Sequence, residues 1–175
     1  LEWQDEYGTR MFFSQNTNAG EQAAIGLSDI GGIAKWFLLS TLEHEGCIFR
    51  MNAAIGLGYF KHKDVLVSLV RTLDDEDEIV RSSAAYALGM LGDTEAVKYL
   101  VTALLDKDED VRKNSIESLI DLKAKEAALS VLAILKKDDA IDVRIMAIRV
   151  LNELEIESAC DVLIEILAND ESSDL

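Results

Sequence analysis

Apolar residues recur at spacings of three and four through Ile79, Val80, Ala84, Ala87, Leu88 and Leu91. On a helix with 3.6 residues per turn that spacing lines one face, so it predicts an amphipathic α-helix. Gly92-Asp93-Thr94 breaks the pattern, and Val97, Leu100, Val101, Leu104 and Leu105 resume it. Residues 78–106 therefore read as a helix, a tight turn and a returning helix. Two short helices cannot cover their own apolar faces, so the unit requires neighbours.

The neighbours are copies. Counting 31 residues back from Arg81 reaches Arg50, 31 forward reaches Arg112, and 32 more reaches Arg144. Each arginine follows an apolar residue and precedes Ala53, Ala84, Ser115 or Ala147 by three positions. On the returning side Leu66, Leu69, Val70 and Leu73 correspond to Val97, Leu100, Val101 and Leu104, then to Ala128, Val131, Leu132 and Leu135, then to Cys160, Leu163, Ile164 and Leu167. A fixed period of about 31 residues, each holding a helical hairpin, predicts a stacked solenoid.

The expected fold is all-α, a right-handed α-solenoid of about five hairpins at 20–42, 47–73, 78–105, 110–136 and 142–167, within one domain over 19–170. Residues 1–18 depart from the repeat. Trp3, Tyr7, Met11 and Phe12 suit a short helix that caps the first hairpin, or the last helix of a repeat further upstream. Residues 171–175 read as a polar tail. Proline is absent, so the outer helices are expected to be straight.

The run Ile79-Val80-Arg81, Ala84-Ala85, Ala87-Leu88-Gly89, Leu91-Gly92-Asp93, Ala96-Val97 and Leu100 resembles the HEAT-like repeat named after the phycobilisome lyases. The match is close over 78–106, good over 50–73, and degenerate in the last two copies, which lack the Gly-Asp turn. Families with this repeat include bilin lyase subunits, scaffolds and a few metal enzymes, so the resemblance specifies fold more than task. It implies, as one functional class, a bilin lyase or chaperone subunit holding a tetrapyrrole. One similar family, deoxyhypusine hydroxylase, binds two irons with His-Glu pairs directly after the arginine-equivalent position. Met51-Asn52, Ser82-Ser83, Lys113-Asn114 and Ile145-Met146 stand there in this chain, and none supplies such a site.

Lys and Arg total 17 against 33 Asp and Glu, a net charge of −16. That balance argues against binding DNA, RNA or anionic membranes, all of which need a basic surface. It leaves a basic protein as a candidate partner, beside the plainer reading that acidity keeps the chain in solution. Cys47 and Cys160 lie in different repeats and do not resemble a disulfide framework; Cys160 falls on a core face. No span of about 18 apolar residues and no signal-peptide pattern occurs, so the expected compartment is a reducing cytoplasm. Leu1 in place of methionine suggests a trimmed chain or a piece of a longer protein, whose chemistry would then lie elsewhere.

Acidic runs occupy the loops between hairpins: Asp74 to Glu78, Asp106 to Asp110 broken by Lys107, Asp138-Asp139 with Asp142, and Asp170-Glu171. Carboxylates before a helix cap its free N–H groups and meet the positive end of its dipole, which suffices to explain them. A docking ridge for a basic partner is the functional alternative. Calcium fits poorly, since the glycine and terminal glutamate of an EF-hand loop are missing. Arg50, Arg81, Arg112 and Arg144 stand in the first helical turn, where a cation opposes the dipole. They read as a structural ladder in which each planar fork bonds loop carboxylates or carbonyls of a neighbouring hairpin.

No catalytic residue, cofactor or metal is expected. His44 and Cys47 are too far from His62 to share an ion, and the glycines over 26–32 lack the lysine of a phosphate-binding loop. The better candidate is an interface. Returning helices are expected to line the concave side, where Trp36 and Ser40, Val67 and Arg71, Lys98 and Thr102, Leu129 and Ala133, and Asp161 and Glu165 point away from the core, flanked by Phe37, Tyr99 and Val162. Aromatic and aliphatic side chains with scattered charge suit a partner-binding face. The reading is a non-enzymatic protein-interaction scaffold whose partner-binding residues are Trp36, Val67, Arg71, Lys98, Tyr99, Thr102 and Leu129.

Overall fold

Eight α-helices dominate the described residues of the computed structural model, which are 2–4, 10–12, 31–156 and 164. Helix α1 (Gly32–Thr41) is followed by three complete hairpins: α2 (Cys47–Tyr59) with α3 (Leu66–Thr72), α4 (Glu78–Leu91) with α5 (Val97–Ala103), and α6 (Glu109–Asp121) with α7 (Ala128–Lys137). Helix α8 (Ile141–Glu153) opens a further layer. Each of α3, α5 and α7 is preceded by one 3₁₀ turn, at Lys63–Val65, Thr94–Ala96 and Lys125–Ala127. The architecture is an all-α repeat solenoid. The first helix of the 20–42 hairpin, Cys160 to Val162, Glu165 and the tail lie outside the described residues.

One continuous core runs through the layers. Leu38, Leu57, Leu69, Leu88, Leu100 and Leu119 are fully buried in it, drawn from outer and returning helices alike. Outer helices α2, α4 and α6 approach at backbone distance. A Cβ added to Gly89 would lie 2.9 Å from the Cα of Ser118, and one on Gly58 would lie 2.9 Å from the Cα of Ala87. Ser118 Oγ also donates to the carbonyl of Ala85 at 2.9 Å, tying α6 to α4.

Where each outer helix ends, one residue takes the left-handed conformation that reverses the chain: Lys61, Gly92, Lys123 and Glu155, at the spacing of the repeat. Only Gly92 does so without a Cβ penalty. Lys123 has φ 53°, and Ala124 N–H donates to the carbonyl of Leu119 at 3.0 Å across the turn. Lys123→Gly is therefore expected to raise stability by about 1 kcal/mol, read as an upward shift in the urea midpoint.

Four expectations are corrected. The N-terminal segment is not a helix at the described positions: Glu2–Gln4 and Arg10–Phe12 form an antiparallel pair with Trp3 opposite Met11. Aromatic residues favour strands, and Gly8, between them in sequence, weakens a helix by about 1 kcal/mol. Phe37, placed beside the exposed face, is buried in the core. Ile79 and Leu105, read as core-facing, are exposed, because one sits in the first turn of α4 and the other follows the end of α5. Ile164, aligned with half-buried Val70 and Val101, is also exposed.

Candidate functional site

The arginines join consecutive loops. Arg50 donates from Nε and Nη2 to the two carboxylate oxygens of Asp75 at 2.8 and 2.7 Å, and from Nη1 to the carbonyls of His44 and Glu45 at 2.9 Å each. Arg81 does the same with Asp106 at 2.8 and 3.0 Å and with the carbonyls of Asp75 and Glu76. Arg112 does so with Asp138 at 2.7 and 2.8 Å and with the carbonyls of Asp106 and Lys107. Each fork thus clamps the loop before its hairpin to the loop after it. Arg144 Nε is buried without a hydrogen-bond partner among the described residues.

The aspartates carry a second load. Asp75, Asp106 and Asp138 each accept a backbone N–H two residues on, from Asp77, Asp108 and Ala140. Burial pushes these carboxyls up, but the guanidinium bonds, the backbone N–H and the arginine charge together outweigh it and hold each below the usual carboxylate range. Asp77 and Asp108 cap α4 and α6 by accepting from Ile79 N–H and Asp110 N–H. Much of the acidity between hairpins is thereby committed within the fold.

Both histidines are occupied locally. His44 Nδ1 accepts from Gly46 N–H at 2.9 Å, with its ring against Phe49 at 4.4 Å. His62 Nδ1 pairs with Asp64 Oδ1 at 2.7 Å, and Asp64 also bonds Lys35. Burial, then a hydrogen bond with Asp77, pushes the Cys47 thiol up, away from the thiolate that a nucleophile or metal ligand requires. The described residues contain no group of three or more metal-ligating side chains. A groove along the outer helices is lined by Glu78, Ser82, Ser83, Asp108, Asp110, Lys113, Asn114 and Glu117, and there Asn114 Nδ2 donates to Ser82 Oγ at 2.7 Å. No described helix is long and apolar enough to cross a membrane.

The returning helices present a different surface. Trp36, Val67, Lys98 and Leu129 occupy one register on α1, α3, α5 and α7, and all point outward; Trp36 is 53% exposed, Val67 67% and Leu129 79%. One turn further on, Ser40, Arg71, Thr102 and Ala133 form a second row that is at least partly exposed. Lys98 Nζ lies 4.8 Å from the centroid of the Tyr99 ring, and Tyr99 is half-buried. Thr102 Oγ1 turns back to the carbonyl of Lys98 at 3.1 Å. Arg71 lines a small cleft with Glu43 and Asp75. Between α5 and α7 a groove of about 980 Å³ opens, floored by Val101, Leu104, Leu105, Ala133 and Ile134. The exposure of Leu105 and this groove escaped the sequence reading; the signal was a leucine where other copies carry Asp74 and Lys136.

The sequence profile described as HEAT repeats matches residues 36–120 and 100–175. The chain belongs to the HEAT-repeat family. Its fold is similar to that of a chain in the complex of CpcE and CpcF of phycocyanin lyase from Nostoc sp. PCC7120, with TM-score 0.68 and 20% identity over 77% of this chain and 90% of that one. An engineered protein from the Northeast Structural Genomics Consortium is similar over 90% of this chain and 86% of its own, with TM-score 0.54 and 20% identity. At such identity the likeness is one of HEAT-repeat fold. No curated protein matches the sequence.

Proposed function

We propose that this HEAT-repeat chain is a protein-interaction scaffold that seats its partner on the inner face formed by the returning helices, around Trp36, Val67, Arg71, Lys98, Tyr99, Thr102 and Leu129. The observation that carries the reading is the register of Trp36, Val67 and Leu129. Three large apolar side chains are left more than half exposed at one position of the returning helices, on α1, α3 and α7, with Lys98 holding that position on α5. Exposed apolar rows with polar neighbours are how rigid repeat proteins hold partners.

Trp36→Ala with Val67→Ala is expected to lower partner recovery at least tenfold while leaving thermal unfolding unchanged, because neither side chain fills the core. The immobilised chain and the variant would be exposed to extract of the source organism and the retained proteins quantified. Identical retained sets would remove this face from the function.

Likeness to a chain of the phycocyanin lyase complex supports a second reading, a lyase-type subunit that holds a tetrapyrrole in the same place. A net charge of −16 weighs against it, since a bilin brings carboxylates of its own. Mixing the chain with phycocyanobilin separates the readings: a specific site shifts and sharpens the pigment's absorption band, and an unchanged band rejects it.

A further inference from the structure

We infer that the groove between α5 and α7 docks a basic amphipathic helix of a partner protein. This rests on the reading of the returning-helix face as the binding face and adds the position and the chemistry of the occupant. The floor is apolar and its most prominent member is Leu105, 80% exposed just past the end of α5. The repeat does not impose that leucine, because the corresponding positions hold charged residues in the neighbouring copies. Ala133 opens the floor further: it stands where Arg71 and Thr102 stand in earlier layers, so a longer polar side chain is missing from the apolar floor.

The rim sets the sign of the occupant. Asp108, Glu109 and Asp139 line it against Lys107, since the other cation there, Arg112, is committed to Asp138. The whole chain, at −16, adds to the same negative field. A second copy of this chain would bring like charge into the groove and is disfavoured by the same argument. Helix α7, with ten residues, is about 15 Å long, enough to support roughly three turns of a docked helix through anchors spaced i, i+3, i+4 and i+7. Leucines on the inner face of such a helix would meet Leu105 and Ala133 while lysines on its flanks meet the rim.

The test uses the full chain and a labelled 14-residue peptide with leucines at those four positions and lysines elsewhere, followed by fluorescence anisotropy. Leu105→Ser and Ala133→Arg are expected to weaken binding at least tenfold each, with circular dichroism and thermal unfolding unchanged because both positions are exposed. Raising salt from 0.1 to 1 M shortens the screening length from about 10 to about 3 Å and is expected to weaken binding further. A peptide with glutamate in place of lysine is expected not to bind. Equal binding of the glutamate peptide, or less than twofold loss in both variants, overturns the proposal. Loss only in the Trp36→Ala, Val67→Ala variant overturns the groove while leaving the scaffold reading intact.

Discussion

Replacing Arg81 with methionine is expected to destabilise the fold by about 3–5 kcal/mol, because it strands a buried charge that had a two-pronged partner. Arg81 and Asp106 are both largely buried, and Arg81 also satisfies the carbonyls of Asp75 and Glu76. With a urea dependence of about 1–3 kcal/mol per molar, the midpoint should fall by about 1 M or more. Asp106→Asn should cost less, since an amide oxygen still accepts one of the two bonds. Combining Arg81→Met with Asp106→Leu should recover part of the loss, because two apolar groups leave no charge unpaired between them.

The same pair predicts a pH dependence of fixed sign. Asp106 gives up its proton more readily in the folded chain than in the unfolded one, so at acid pH the unfolded state binds more protons. Its stabilisation is present above the unfolded carboxylate value of about 3.9 and is lost as pH falls through the lower folded value. Urea midpoints taken from about pH 7 to about 2.5 should therefore decline below about pH 4 in the native chain. In the Arg81→Met variant Asp106 is buried without its partner and its pKa rises, so the decline should become shallower, with Asp75 and Asp138 still contributing theirs. A variant that tracks the native curve would show that the pair contributes no linkage.

Gly89→Ala is expected to lower stability by about 1–3 kcal/mol although alanine is the better helix former. The new Cβ would lie 2.5 Å from Ser118 Oγ and 2.7 Å from its Cβ, so α4 and α6 must part. The propensity gain of about 1 kcal/mol is smaller than that cost. Adding Ser118→Gly removes two of the three close contacts but leaves the Cα at 2.9 Å, so rescue should be partial. An increase in the urea midpoint of Gly89→Ala would show that the outer helices are not in fixed contact.

The hairpins were legible because a 3.6-residue apolar period and a marker arginine recur together, and local pattern and tertiary packing agree at Leu57, Leu88 and Leu119. The aspartate partners were harder to see. Five acidic residues follow one another from Asp74 to Glu78, and only the constant offset of 25 or 26 positions from each arginine singles out Asp75, Asp106 and Asp138. Reversal at Lys61, Lys123 and Glu155 leaves no trace in residue type, because those side chains adopt a conformation that sequence associates with glycine. The strand pair at Trp3 and Met11 was hidden by a four-residue spacing that suits a helix equally well. On the returning helices, the row of Trp36, Val67 and Leu129 could be counted out, whereas the prominence of Leu105 depends on where α5 stops.

Asp75 serves one arginine through its carboxylate and the next through its carbonyl, as Asp106 does one layer later. Excising residues 76–106 would therefore join Asp75 to Lys107 and present Arg112 with an equivalent pair of carbonyls. Arg50 would keep its own carboxylate in the shortened chain. Gene duplication or loss in whole units of this length leaves these guanidinium groups fully bonded, so such proteins can change span over evolution without reinventing their joints.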